Sequence, residues 1–253
     1  NLDKAIDAIT KAMELDKNNA VFAIQITDLL YQRYSIYKNE PDLVKATEIA
    51  HSALAWPDAQ NTSGPRNTLR VRNKFLLNTF LANSYIEEIL NSSDSITDSD
   101  KSTLQTAAQD AVHEIEMIIR TEDDPTIIRW KGMLELAKGN RQGAIVKLYK
   151  AYEQLKSVKP AQPPWPLDIE FARLSYTLAQ LFMNTEEIGK VNEFLVNAHY
   201  AGITEIKPEA RLDYVEVILR FNRFSDALEN IDAYEEDYGP NKRTRELRVR
   251  TYI

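Results

Sequence analysis

The chain has 253 residues, 43% apolar and 27% charged, with a formal net charge of −7 and a pI near 5.2. This composition can bury a core and excludes global disorder, while the acidic balance argues against a general nucleic-acid binder, which draws much of its affinity from a basic footprint. The absence of cysteine excludes disulfides, thiolate metal ligands and a cysteine nucleophile; no run approaches the roughly 18 apolar residues of a membrane span, and Asn1 to Thr10 lack the basic-then-apolar order of a signal segment.

Seven glycines and a palette of Ala, Leu, Ile, Glu and Lys predict a mostly helical chain. The first segment, AIDAITKAMELDKNN, sets Ala5, Ile9 and Ala12 at i, i+4 and i+7, on one helical face. The same spacing returns at Ala46, Ala50, Ala53; at Ala111, Ile115, Ile118; at Ala144, Leu148, Ala151; at Val191, Leu195, Ala198; and at Ala227, Ile231, Tyr234. Six matches to one template, with starts 41, 65, 33, 47 and 36 residues apart, identify a repeated helix.

A second pattern, centred on a small residue, precedes several of these helices. LLNTFLANSYIEEI offers Leu81, Ala82 and Tyr85; Gly132 lies twelve residues before Ala144; Leu178, Ala179 and Phe182 put Ala179 twelve before Val191; Tyr214, Val215 and Ile218 put Val215 twelve before Ala227. Small residues at these places let two helices approach closely. Gly139 and Asn140 read as a tight turn between helices, and Pro41, Pro125 and Pro208 mark helix starts, with Asp124 as the cap before Pro125. The polar stretches Pro57 to Asn67 and Asn91 to Ser102 read as loops. Lys159 to Asp168 reads as an extended Pro-rich connector whose Trp165 packs on a neighbouring helix or stands as an exposed anchor.

Leu-Arg-Val-Arg occurs twice, at Leu69 to Arg72 and at Leu247 to Arg250. Four alternating residues suit a strand, but both copies fall where the first helix of a pair is due and are therefore predicted helical. Arg66, Arg70 and Lys74 then share a face at i, i+4 and i+8. Lys242 and Arg243 fall in a first helical turn, where the macrodipole disfavours cations by a few tenths of a kcal/mol. These basic stretches read as solvated helix flanks, with an acidic partner as the alternative that the first-turn cations leave open.

This pattern resembles the tetratricopeptide repeat, a 34-residue helix-turn-helix unit with the signature Trp-x2-Leu-Gly-x2-Tyr, then Ala-x3-Phe, then Ala and Pro. Pro125 to Lys156 is the closest segment, and AIDAITKAMELDKNN is similar to the second helix of such a unit, with Lys17 at the place of the closing Pro. The leading Trp is missing, and Asp58, Asp123 or Gly239 stand where other closing prolines are usual. The resemblance implies an all-α fold: a TPR-like α-solenoid of stacked antiparallel helix pairs in a right-handed superhelix. On this reading residues 1–253 form a single solenoid of about five helix pairs flanked by half units, either cut from a longer chain or with its ends serving as half-unit caps.

Catalytic constellations are missing from the sequence. His51, His113 and His199 fall on three different second helices, and HEIEM carries Met117 where a zinc-protease helix needs its second His. There is no Gly-rich phosphate loop, nucleophile elbow or metal-ligand spacing, so neither an enzyme nor a cofactor is expected. The adjacent acids Glu87–Glu88, Asp123–Asp124 and Glu235–Glu236 read as solvated faces.

The resemblance instead implies a non-catalytic protein-protein interaction scaffold that binds a protein or peptide segment on its concave face. The alternative is a regulatory or substrate-presenting array attached to an enzyme domain outside this segment. An RNA-binding helical-repeat protein is a third reading, which the negative charge and the lack of a repeated base-reading pair oppose. Groove positions lie three residues before and one after each small residue: Thr79 and Asn83, Arg129 and Met133, Tyr176 and Gln180, Leu212 and Glu216. Tetratricopeptide proteins that hold the C-terminal carboxylate of chaperones place a Lys/Asn, Asn, Lys/Arg set there. Only Asn83 and Arg129 match in type, so a chaperone tail is not expected to bind. Arg129 and Tyr176 are residue types enriched at hot spots, with Met133 as an adaptable neighbour; the competing role for Tyr176 is packing between helix pairs.

Overall fold

The computed structural model describes residues 2–37, 39–60, 67–91, 96–159, 166–183, 185 and 187–252; Arg66, Trp165 and the roles expected of them lie outside the described residues. Twelve α-helices and no strand occur among the described residues: α1 (Leu2–Leu15), α2 (Ala20–Tyr37), α3 (Glu40–Leu54), α4 (Asn67–Asn91), α5 (Asp98–Ile119), α6 (Pro125–Ala137), α7 (Arg141–Ser157), α8 (Ile169–Phe182), α9 (Ile188–Tyr200), α10 (Ala210–Arg220), α11 (Phe224–Tyr238) and α12 (Lys242–Arg250). A short 3-10 turn, Ile203–Glu205, lies between α9 and α10.

Local chemistry sets several boundaries. The Asp124 carboxylate accepts the Thr126 N–H at 2.8 Å, and Pro125 occupies the first turn, where its missing donor costs nothing. Gly139, at φ +80°, closes α6: the Asn140 N–H reaches the Glu135 carbonyl and the Gly139 N–H the Leu136 carbonyl, each at 2.9 Å. Pro208 stands two residues ahead of α10, in the turn that leads into it.

One expectation needs correction. The stretch Asn91 to Ser102 reads as a loop for its Ser and Asp content, yet Asn91 ends α4 and Asp98–Ser102 opens α5, while residues 92–95 lie outside the described residues. Thr97 caps that helix, accepting the Asp100 N–H at 3.1 Å and donating to the Asp100 carboxylate at 2.7 Å. Asp98 and Asp100 sit in the first turn, where negative charge suits the macrodipole.

The repeated template lands on the core face. Ala46, Ala50, Ala53, Ala111, Ile115, Ala144, Leu148, Ala151, Val191, Leu195, Ala198, Ala227, Ile231 and Tyr234 are all buried. Ile118 is half-buried, and in α1 the residue that reaches the core is Ile6, with Ala5, Ile9 and Ala12 half-buried beside it. Both copies of Leu-Arg-Val-Arg are helical, in α4 and α12, as their surroundings predict. They are not equivalent in packing, since Leu69 is exposed and Leu247 buried.

The chain divides into two compact units, Asn1–Lys147 and Leu148–Ile253. Within the first, each of α1 to α5 packs on the next, and the alternate helices α2, α4 and α6 also touch in order. Its core joins Ile26, Leu30, Leu77, Leu81, Ile86, Ile115 and Trp130. Within the second, α8 packs on α9, α9 on α10, α10 on α11 and α11 on α12, while α10 also meets α12. One part of its interior is aromatic: Tyr152 stacks on Phe171 at 5.5 Å between ring centroids and meets Phe194 edge-on at 5.0 Å. The other is aliphatic, built from Leu212, Val215, Ile218, Ile231 and Leu247.

Candidate functional site

Alternate helices carry the residues singled out by the repeat, and in the second unit they converge on one acid. Asp213 of α10, 8% exposed, accepts the Tyr176 hydroxyl of α8 at 2.5 Å and the Gln180 side-chain amide at 2.8 Å. Arg243 of α12 donates from Nη2 to its other oxygen at 2.5 Å and lies 3.3 Å from the Glu216 carboxylate. Burial, then the neighbouring Asp213 charge, push the Tyr176 phenol above its ordinary pKa. Burial acts to lower the Arg243 pKa, but the hydrogen bond and charge of Asp213 and the charge of Glu216 outweigh it and leave the guanidinium above its usual value.

Three of the eight expected groove residues, Tyr176, Gln180 and Glu216, thus belong to one polar network. Asp213 and Arg243 complete it and were not among the eight. A signal for them existed: a cation in the first turn of α12 needed an acid, and that acid lies 30 residues earlier, inside the chain. Lys242, beside it, is highly exposed and has Glu246 at 3.8 Å. Tyr176 spans α8 and α10 through its hydroxyl, the packing role that competed with the groove role.

Leu212 is 1% exposed and packs with Val215 and Leu247 in the aliphatic core, so it offers no area to a partner in this conformation. In the first unit Arg129 is likewise buried, at 2%, with its guanidinium carbon 4.1 Å from the centroid of the Trp130 ring. Met133 is half-buried against the core, and Thr79 and Asn83 of α4 are half-buried. The structure therefore leaves partial or full exposure at Thr79, Asn83, Met133, Tyr176, Gln180 and Glu216.

The paired acids are less uniform than solvated faces. Glu87 accepts the Tyr31 hydroxyl, and Glu88 is half-buried with its pKa raised by burial and by the charge of Glu40. Asp124 is the cap of α6, and Glu235 binds Arg248 at 2.6 Å. Asp123 and Glu236 are exposed. No group of three or more His, Cys, Asp or Glu residues among the described residues could hold a metal ion, and no described helix is long and apolar enough to cross a membrane.

Of the histidines, His51 and His113 are exposed, His51 lying against the Tyr85 hydroxyl. His199 is half-buried and stacked on Tyr214, with ring centroids 5.8 Å apart and planes 15° apart. Burial, then the Arg211 charge, hold its pKa below the ordinary 6.5. The unfolded chain therefore binds a proton at this residue more readily than the folded one. Its contribution is complete above about pH 6.5 and is lost as pH falls toward the folded value. His199→Gln should flatten the decline of the thermal midpoint between about pH 7 and 5. Midpoint profiles that superimpose for the two proteins would exclude His199 as a source of acid sensitivity. The chain matches no protein-family model, and no curated protein matches it.

Proposed function

We propose that the helix pairs are tetratricopeptide-like repeats of a right-handed α-solenoid, and that the chain is a non-catalytic interaction scaffold binding a protein or peptide segment on faces built by alternate helices. The observation that carries this reading is the direct contact between alternate helices: α2, α4 and α6 in one unit, α10 with α12 in the other, and α8 with α10 through Tyr176 and Asp213. Alternate helices in contact set side chains from successive pairs next to one another, as an extended ligand requires. Recognition falls on the members of the expected set that retain exposure one residue after the small positions: Asn83 and Met133 in the first unit, Gln180 and Glu216 in the second. Two amides, a thioether and a carboxylate suit a segment of mixed polarity rather than an acidic tail.

The test is selection of peptides from a random library on the purified chain, followed by affinity measurement on Met133→Asp and Gln180→Arg. Selected ligands should weaken at least tenfold, about 1.4 kcal/mol, on one of the two variants, with the folding of each variant checked by circular dichroism. Ligands that bind both variants as tightly as the parent would place recognition elsewhere.

A further inference from the structure

The Asp213 carboxylate accepts three donors within the chain; another side of α10 is less fully paired. Arg211 and Tyr214 lie three residues apart on that helix, with Arg211 about 200° around the axis from Asp213. With His199 and Tyr200 of α9, and Arg223 and Glu229 near and on α11, they line a cleft of about 360 Å³. A smaller cleft of about 310 Å³, which includes Glu205 and Asp237, also has Arg211 in its wall.

Arg211 is held less closely than Arg33, Arg223, Arg243 and Arg248, although Arg173 too has its ion pair, with Glu170, at 3.9 Å. Arg33, Arg223, Arg243 and Arg248 each donate to a carboxylate oxygen at 2.8 Å or less. For Arg211 the one carboxylate in ion-pair range among the described residues is Asp237, at 3.9 Å, beyond hydrogen-bond reach, although the side chain is only 20% exposed. A sheltered guanidinium in this state keeps its fork of donors for an oxyanion. His199 stands in the wall of the same cleft, its ring stacked on Tyr214 and its Nδ1 buried without a hydrogen-bond partner. Glu205 and Asp237 would repel an anion from the smaller cleft. In the larger one Asp226 is already paired with Arg223, and Glu229 is exposed.

We propose that the larger cleft is an oxyanion-binding site, in which Arg211 holds a carboxylate or phosphate group against the wall formed by His199 and Tyr214. The site is separate from the alternate-helix face, since it uses different residues of α10.

Titration of the whole chain at constant ionic strength, in one arm with inorganic phosphate and in the other with N-acetylglutamate, tests this through the His199 ring resonances, assigned with His199→Gln. A saturable shift is expected in at least one arm, with a Kd of about 1 mM or tighter. Saturation by phosphate alone identifies a phosphate group, and by N-acetylglutamate alone a carboxylate. Arg211→Gln should weaken the binding at least tenfold, its folding checked by circular dichroism. Glu229→Gln, a change at an exposed position, should tighten it several-fold by removing a repulsive charge. Linear shifts without saturation in both arms, binding undiminished in a folded Arg211→Gln, or an affinity unchanged in Glu229→Gln would each overturn the proposal.

Discussion

Asp213→Ala is expected to cost the unit Leu148–Ile253 about 3 kcal/mol of stability. Asp213 is 8% exposed, and its carboxylate satisfies three donors, the Tyr176 hydroxyl, the Gln180 amide and the Arg243 guanidinium. Its removal leaves the Tyr176 hydroxyl without its acceptor and Arg243 with Glu216 alone, at 3.3 Å. The Arg243 side chain is 35% exposed, so water recovers part of the loss, and the expected cost lies at the lower end of the range for a broken buried pair. Adding Arg243→Met to the alanine variant should return about 1 kcal/mol or more, because no charge is then left unpaired. Urea unfolding of the single and double variants measures both quantities. A cost below about 0.5 kcal/mol for Asp213→Ala would mean that the network contributes little beyond what water offers.

Trp130→Ala should be the most damaging single change in the first unit, at about 4 kcal/mol, within the range for large aromatic residues deleted from a core. The ring is 0% exposed and carries the Arg129 guanidinium at 4.1 Å, so its loss opens a cavity and strips a buried cation of its aromatic face. Trp130→Phe should cost less than half as much. It restores most of the volume, and it deletes an indole N–H that is buried without an acceptor. Comparable losses for Phe and Ala, measured by chemical unfolding, would show that the indole's shape rather than its bulk holds this core.

Helical content and the buried stripe of the second helices were legible because period and side-chain size are local properties. Ala46, Ala50 and Ala53 repeat at helical spacing in the sequence and are sealed in the structure. The start of α5 was less legible, since Ser, Thr and Asp serve equally as loop residues and as helix caps, and only the hydrogen bond from the Asp100 N–H to Thr97 decides between them. The candidate face was half legible, for an angular reason. A residue three before a buried small position lies about 60° from it around the helix, whereas a residue one after lies about 100° away. Arg129 and Leu212, both of the former kind, are buried beside Gly132 and Val215, while Gln180, of the latter, is exposed. The role of Asp213 is not legible in the sequence, because its partners lie 30 to 37 residues away.

Ala82, Gly132, Ala179 and Val215 occupy corresponding places in four first helices and are all buried. Close approach of two helices demands a small or compact side chain there, but no particular one. A fold locked by size rather than identity has few letters that must persist through descent. Substitutions can accumulate at the exposed surface while the packed helices beneath stay the same. Shared ancestry then fades from the alphabet sooner than from the shape.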